Sequence, residues 1–162
     1  MSEPSPIRRE LTLTRRFDAP RRLVFACWTE ADRLARWWGP AGFTNPICRI
    51  DPRPGGEIYI LMRAPDGSEF PMTGTFREVV SPERLVFTSQ AIAADGKPLL
   101  DGLTTVTFEE RDGRTQMTLH AEATAIEPIA ERMLAGMDAG WTQSLERLGA
   151  LVAGEPGGPA RG

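Results

Sequence analysis

From Ile7 to Phe17 the chain reads IRRELTLTRRF, with Arg9, Leu11 and Leu13 on one side of a two-residue period and Thr12 and Thr14 on the other. That alternation, with its β-branched threonines, predicts a half-buried strand. The period then changes. In DAPRRLVFACWT, Asp18 is a candidate N-cap and Pro20 sits in the first turn, where its missing N–H costs nothing; Val24, Cys27 and Trp28 follow at helical spacing. Thr29 with Asp32 has the form of a capping box, and Ala31, Leu34, Ala35 and Trp38 recur in three- and four-residue steps. Gly39, suited to a left-handed C′ position, and Pro40 then stop this second short helix.

From Asn45 to Ala123 short β runs alternate with turn chemistry: PGGE at 54–57, PDGS at 65–68, ADGK at 94–97 and RDGR at 111–114. Asp-Gly between alternating segments is a strong hairpin signal. The runs EIYILMR, FPMTGTFREVV, RLVFTSQAI, LTTVTFEE and TQMTLHAEA, with one near Ile47–Ile50 and the first strand, make about seven strands, paired antiparallel where hairpins join them. The last element reads as one long helix. Thr124 with Glu127 offers a capping box, and Ile126, Ile129, Ala130, Met133, Met137, Trp141, Leu145, Leu148 and Val152 form a single apolar stripe of some seven turns. Such a helix needs a broad apolar surface, and the sheet is the candidate. The fold class is therefore α+β.

The segment RLARWWGPAGFT places two tryptophans side by side. Helical neighbours point about 100° apart, so Trp37 and Trp38 cannot share one burial direction. Trp38 continues the stripe of Ala31, Leu34 and Ala35 and is the expected core anchor, worth up to roughly 5 kcal/mol for about 200 Å² buried. Trp37 falls off the stripe. It is expected either at the wall or lid of a cavity mouth with Phe43, or packed on the Arg33 stem and a nearby loop.

Composition narrows the setting. The 162 residues suit one domain, expected over 7–153, with Pro/Gly-rich tails at 1–6 and 154–162. A net charge of −3 lacks the basic excess of a nucleic-acid surface. No apolar run approaches the roughly 20 residues of a membrane span, and MSEPSPIRRE has no signal-peptide core, so a cytoplasmic protein is expected. Cys27 and Cys48 are isolated thiols, and a single histidine argues against a structural zinc site.

The order strand, two short helices, six strands and long C-terminal helix resembles the helix-grip fold of the START-like (SRPBCC, Bet v-type) superfamily, a curved antiparallel sheet wrapped around that helix. More closely, the chain resembles the branch named after the activator of the heat-shock-protein-90 ATPase, in its short bacterial form. The matching pieces are RRFDAPRRLVFACWTEADRLARWWGP (15–40), DPRPGGEIYILM (51–62), GTFREVVSPERLVFT (74–88), DGRTQMTL (112–119) and GWTQSLERL (140–148). The resemblance implies a cavity between sheet and helix that members use differently: relatives bind lipids, sterols or other apolar molecules, some cyclise or dehydrate polyketides, some protect against reactive natural products, and the namesake regulates a chaperone. It also allows a homodimer. Fold does not choose among these uses.

Inward alternation of Ile58, Ile60 and Met62, of Met72, Gly74 and Phe76, and of Leu85 and Phe87 would set an apolar sheet face against Met133, Met137 and Trp141. Such a face either closes a core or lines a pocket, since pockets are themselves mostly apolar. The candidate ligand-binding residues are Trp37, Phe43, Ile60, Met62, Met72, Phe87, Met133, Met137 and Trp141. Gly136 and Gly140 flank the helix stripe, each costing about 1 kcal/mol against alanine. Close approach of sheet or loop would explain them, or room for a bound molecule.

His120 alternates with Gln116, Thr118 and Glu122, opposite Met117, Leu119 and Ala121, and so is expected to face solvent. That leaves no Ser-His or Cys-His arrangement. Arg63, Glu69 and Tyr59 are candidates for a cavity rim or for ordinary strand-edge solvation. The expected function is binding of a small hydrophobic or aromatic molecule, without cofactor or metal. The alternatives are a cyclase or dehydratase in the same cavity, or a co-chaperone-like interaction module.

Overall fold

The computed structural model describes residues 7–93 and 95–154; the side chain of Ile129 and the expected tails at 1–6 and 154–162 lie outside what is described, except Gly154, which ends the last helix. Seven strands form one curved antiparallel sheet in the order β1-β7-β6-β5-β4-β3-β2. They are β1 (Arg8–Phe17), β2 (Thr44–Ile50), β3 (Glu57–Arg63), β4 (Glu69–Val80), β5 (Arg84–Ile92), β6 (Pro98–Arg111) and β7 (Arg114–Ala125). Between β1 and β2 lie the short helices α1 (Arg21–Thr29) and α2 (Ala31–Trp37), as the changes of period require. The chain closes with α3 (Glu131–Ala135) and α4 (Met137–Gly154).

The C-terminal helix is not continuous. Residues 124–125 extend β7, a 3₁₀ turn spans Pro128–Ala130, and Gly136 separates α3 from α4 with φ −89° and ψ 1°. The Thr124–Glu127 capping box is thus absent: Thr124 is strand, paired with Arg8 and Asp101. The apolar period passes unbroken through Gly136, but backbone freedom at a glycine lets the axis step there.

The other two expected caps also fail. α1 begins on Pro20, whose carbonyl accepts from Leu23 at 3.0 Å, while Asp18 pairs with Arg114 at 3.2 Å. Its first N–H, on Arg21, is taken by the Glu110 carboxylate at 2.8 Å, a cap delivered from β6. α2 begins on Glu30, and the Thr29 hydroxyl bonds back to Phe25 O at 3.1 Å.

The tryptophan pair is reversed from expectation. Trp37 is fully buried and its Nε1 donates to Cys27 O at 2.8 Å, whereas Trp38 is half-buried. The helix ends at Trp37, and Trp38 is the C-cap with ψ 132°. Once the backbone leaves the helix, extending the 3.6-residue stripe to Trp38 has no meaning. Trp37 instead packs edge-on against Trp28, ring centroids 4.6 Å apart, giving the carbonyl in the last turn of α1 a donor.

The inner face of the sheet tapers. At the end beneath α1 and α2, the register aligns Phe108 with Met117, then Leu85, Val106 and Leu119, then Phe87, Thr104 and Ala121. Phe25 meets Phe108 edge-on there, with centroids 5.4 Å apart. Two residues further on, the row is Ser89, Gly102 and Ala123, all short, and beyond it Leu100 stands between Ala91 and Ala125. Large side chains close the core at one end, and short ones leave space at the other.

Candidate functional site

The space left by the short row is a cleft of about 450 Å³ between the sheet and the C-terminal helices. Its floor is Ser89, Ala91, Leu100, Gly102, Thr104, Ala121 and Ala123. Met62, Phe70, Pro71 and Met72 of β3 and β4 form one wall, and the loop Trp38-Gly39-Pro40 with Phe43 forms a second. The roof is Met133, Leu134, Gly136, Met137, Gly140, Trp141 and Ser144 of α3 and α4. This is predominantly apolar concave surface of ligand-pocket size.

Six of the nine candidate residues meet here: Phe43, Met62, Met72, Met133, Met137 and Trp141. Three do not. Trp37 lies in the core, and Ile60 and Phe87, both buried, border an internal void of only about 10 Å³, so they belong to the closed end of the taper. The floor residues were missed because a search for large apolar side chains finds the places where space is filled, and a cleft opens where they are lacking.

The two roof glycines are not explained by close approach. A Cβ on Gly140 would meet only Pro40 Cγ, at 3.9 Å, and one on Gly136 only the carbonyls of Arg132 and Met133, at 3.7 and 3.8 Å. Both instead border the cleft. Gly39 does have a backbone reason, with φ +97° at the turn after α2.

The wall loop is pinned from α4. Arg147 Nη1 donates to the carbonyls of Trp38, Gly39 and Pro40 at 3.2, 2.9 and 3.0 Å, and Nη2 to those of Arg36 and Phe43 at 3.2 and 3.0 Å. Gln143 Oε1 accepts from Ala41 N at 2.9 Å, and Asn45 Nδ2 donates to Ala35 O and Trp38 O. Burial lowers the Arg147 pKa from its ordinary value, because the guanidinium gives up part of its hydration among the loop carbonyls. Sequence reading passed over Arg147 and Asn45, which show no pattern along the chain.

His120 lies on the outer face, its Nδ1 2.9 Å from Thr12 Oγ1 and its Nε2 3.1 Å from Glu10 Oε1, as its strand phase requires. Glu10, His120 and Glu122 bring ligand atoms within 4.8 Å of one another. The Arg8 guanidinium bonds both carboxylates, so a cation there would have to displace it. Arg63 and Glu69 pair with each other at 2.7 Å. Tyr59 lies under the Arg49 guanidinium, 5.1 Å from the ring centroid. None of these three lines the cleft. A larger groove of about 660 Å³ at the hairpin end of β6 and β7 is lined by exposed charged residues such as Arg16, Asp18, Arg111 and Arg114 and by buried Phe17 and Thr115. Its lining is as polar as it is apolar, unlike that of the cleft.

A curved antiparallel sheet gripping C-terminal helices, with an apolar cleft between them, defines a START-like helix-grip domain. Residues 18–153 match the model of the family described as activator of Hsp90 ATPase homolog 1-like protein, and the chain belongs to that family. Among solved structures, a protein from Nitrosomonas europaea is 30% identical, with a TM-score of 0.71 over 89% of this chain and 94% of its own. A protein from Arthrobacter aurescens is 27% identical, with a TM-score of 0.75 over 92% and 88%. The AHSA1 protein of Silicibacter pomeroyi is 25% identical, with a TM-score of 0.75 over 90% and 98%. No curated protein matches the sequence. Among the described residues no helix is long and apolar enough to cross a membrane.

Proposed function

We propose that the protein binds a small hydrophobic or aromatic molecule in the cleft between the sheet and α3–α4. The observation that carries this reading is the taper. Short residues from three adjacent strands coincide beneath two roof glycines that no packing contact requires, leaving about 450 Å³ walled by Met, Phe and Trp side chains. Phe43, Met62, Met72, Met133, Met137 and Trp141, joined by Trp38, are the proposed contacts. Methionine adapts to varied ligand shapes, and stacking on Trp141 suits an aromatic one.

A cyclase or dehydratase would need an acid or base aimed into the cleft. The ionisable residues along its lining are Glu122, whose carboxylate pairs with Arg8 on the outer face, and Arg132, which is exposed on α3. Neither supports chemistry at the floor, and the binding reading is preferred. The test is native mass spectrometry of the purified protein with solvent extraction of what it carries. A stoichiometric apolar adduct, lost when Gly140→Leu fills the cleft, is the expected result. Protein that carries nothing and shows no shifts at cleft residues on titration with aromatic compounds would overturn the proposal.

A further inference from the structure

The cleft floor carries two hydroxyls in an otherwise apolar surface. Thr104 on β6 is 3% exposed and faces the cleft, and Ser89 faces it from β5. Phe87 pairs with Thr104 and Ser89 with Gly102, so the two hydroxyl residues are diagonal neighbours on adjacent strands. Such neighbours stand about 7–8 Å apart at Cα. One oxygen accepting from both at about 2.8 Å per bond spans that separation.

Neither hydroxyl has a hydrogen-bond partner among the described residues, whereas Ser144, on the roof, is committed to Gly140 O at 2.8 Å. The surroundings keep them uncovered. A Cβ on Gly102 would come within 2.8 Å of Ser89 Oγ, and the next strand offers Ala121 and Ala123. Neither hydroxyl oxygen is sealed away from the cleft, so a ligand that fills it displaces their water and must offer them an acceptor in its place. The floor has no cation, so a carboxylate there would be buried without a counter-charge.

We propose that Ser89 and Thr104 form a hydrogen-bonding subsite, and that the ligand is an apolar molecule bearing an uncharged oxygen function, a ketone, ester or alcohol, directed at the sheet. This rests on the binding reading above and adds the ligand's polar group and its orientation. Walls and roof hold the apolar body while the two hydroxyls set which end enters first.

The test uses two probes of nearly equal shape, 2-acetylnaphthalene and 2-ethylnaphthalene, titrated into ¹⁵N-labelled protein and followed by NMR. The ketone is expected to bind about fivefold to tenfold more tightly, the value of one or two hydrogen bonds. Ser89→Ala and Thr104→Val are each expected to weaken the ketone several-fold and leave the hydrocarbon unchanged; if Thr104→Val does not fold, Ser89→Ala carries the comparison. Equal affinities for the two probes, or a ketone affinity that neither variant moves, would overturn the subsite and leave the binding reading standing. Failure of both probes to bind would overturn both.

Discussion

Arg147 is the residue on which the shape of the cleft wall depends most. Its guanidinium reaches five carbonyls of residues 36–43 at 2.9–3.2 Å. Nη1 has two hydrogens for three acceptors, so at least one bond is shared. Arg147→Met keeps much of the apolar stem and removes the donors. A charge-assisted hydrogen bond contributes about 1.5–3 kcal/mol net, and bonds from one group do not add. Water can replace part of the loss because Arg147 is only half-buried. A net cost of about 2–3 kcal/mol follows, or roughly 5–10 °C in Tm for a chain of this length. The loss is expected to be local first. Amide exchange at Ala41 and Phe43, which bond to Gln143 Oε1 and Pro40 O, is expected to accelerate before that of β6 and β7. Arg147→Lys is expected to recover little, since a point ammonium cannot serve acceptors spread around a planar fork. A change in urea-derived stability below about 0.5 kcal/mol, or a loss of protection spread evenly over the sheet, would refute the assignment.

Three further outcomes follow from the same contacts. Gly140→Ala is expected to stabilise the protein by about 0.5–1 kcal/mol, because a helix-interior glycine is replaced where a Cβ meets nothing closer than 3.9 Å; a destabilised variant in thermal melts would show a hidden clash. Trp37→Phe is expected to cost more than Trp28→Phe in chemical denaturation, since Trp37 Nε1 satisfies Cys27 O, whereas Trp28 Nε1 is buried without a hydrogen-bond partner; the reverse order would contradict the account. Burial, then the charge of Asp32, pushes the Cys48 thiol up to about 11. The fold thus favours the neutral thiol, a contribution present below the ordinary value of 9.0 and lost as pH rises toward about 11. Alkylation of folded protein at Cys48 is expected to remain slow at pH 9 and to accelerate only near 11, and rapid labelling at pH 8 would count against it.

Much of the fold is legible along the chain. EIYILMR and RLVFTSQAI are β3 and β5 to the residue, because alternation and turn chemistry are local and strand pairing only reinforces them. The same holds for the outward phase of His120. The helix caps were not legible, because the group that meets the first N–H of α1 is Glu110, 89 residues away, and no local pattern records it. Nor was the division of labour between Trp37 and Trp38, which turned on where α2 stops, a matter of one residue.

The cleft shows most clearly where the boundary lies. Along β5 the inward residues run Leu85, Phe87, Ser89, Ala91; along β6, read backwards, Phe108, Val106, Thr104, Gly102; along β7, Met117, Leu119, Ala121, Ala123. Each decline from large to small is written in the sequence. A single strand with short residues at one end makes no cavity, because its neighbours can fill the gap. Antiparallel register brings the three short ends side by side, and the step at Gly136 carries the last helices over them. The sequence by itself determined the strands, the apolar faces and the order of elements, since those depend on residues near in the chain. Only the tertiary structure decided that the missing volumes coincide, because a void belongs to all the surfaces around it and to no one segment.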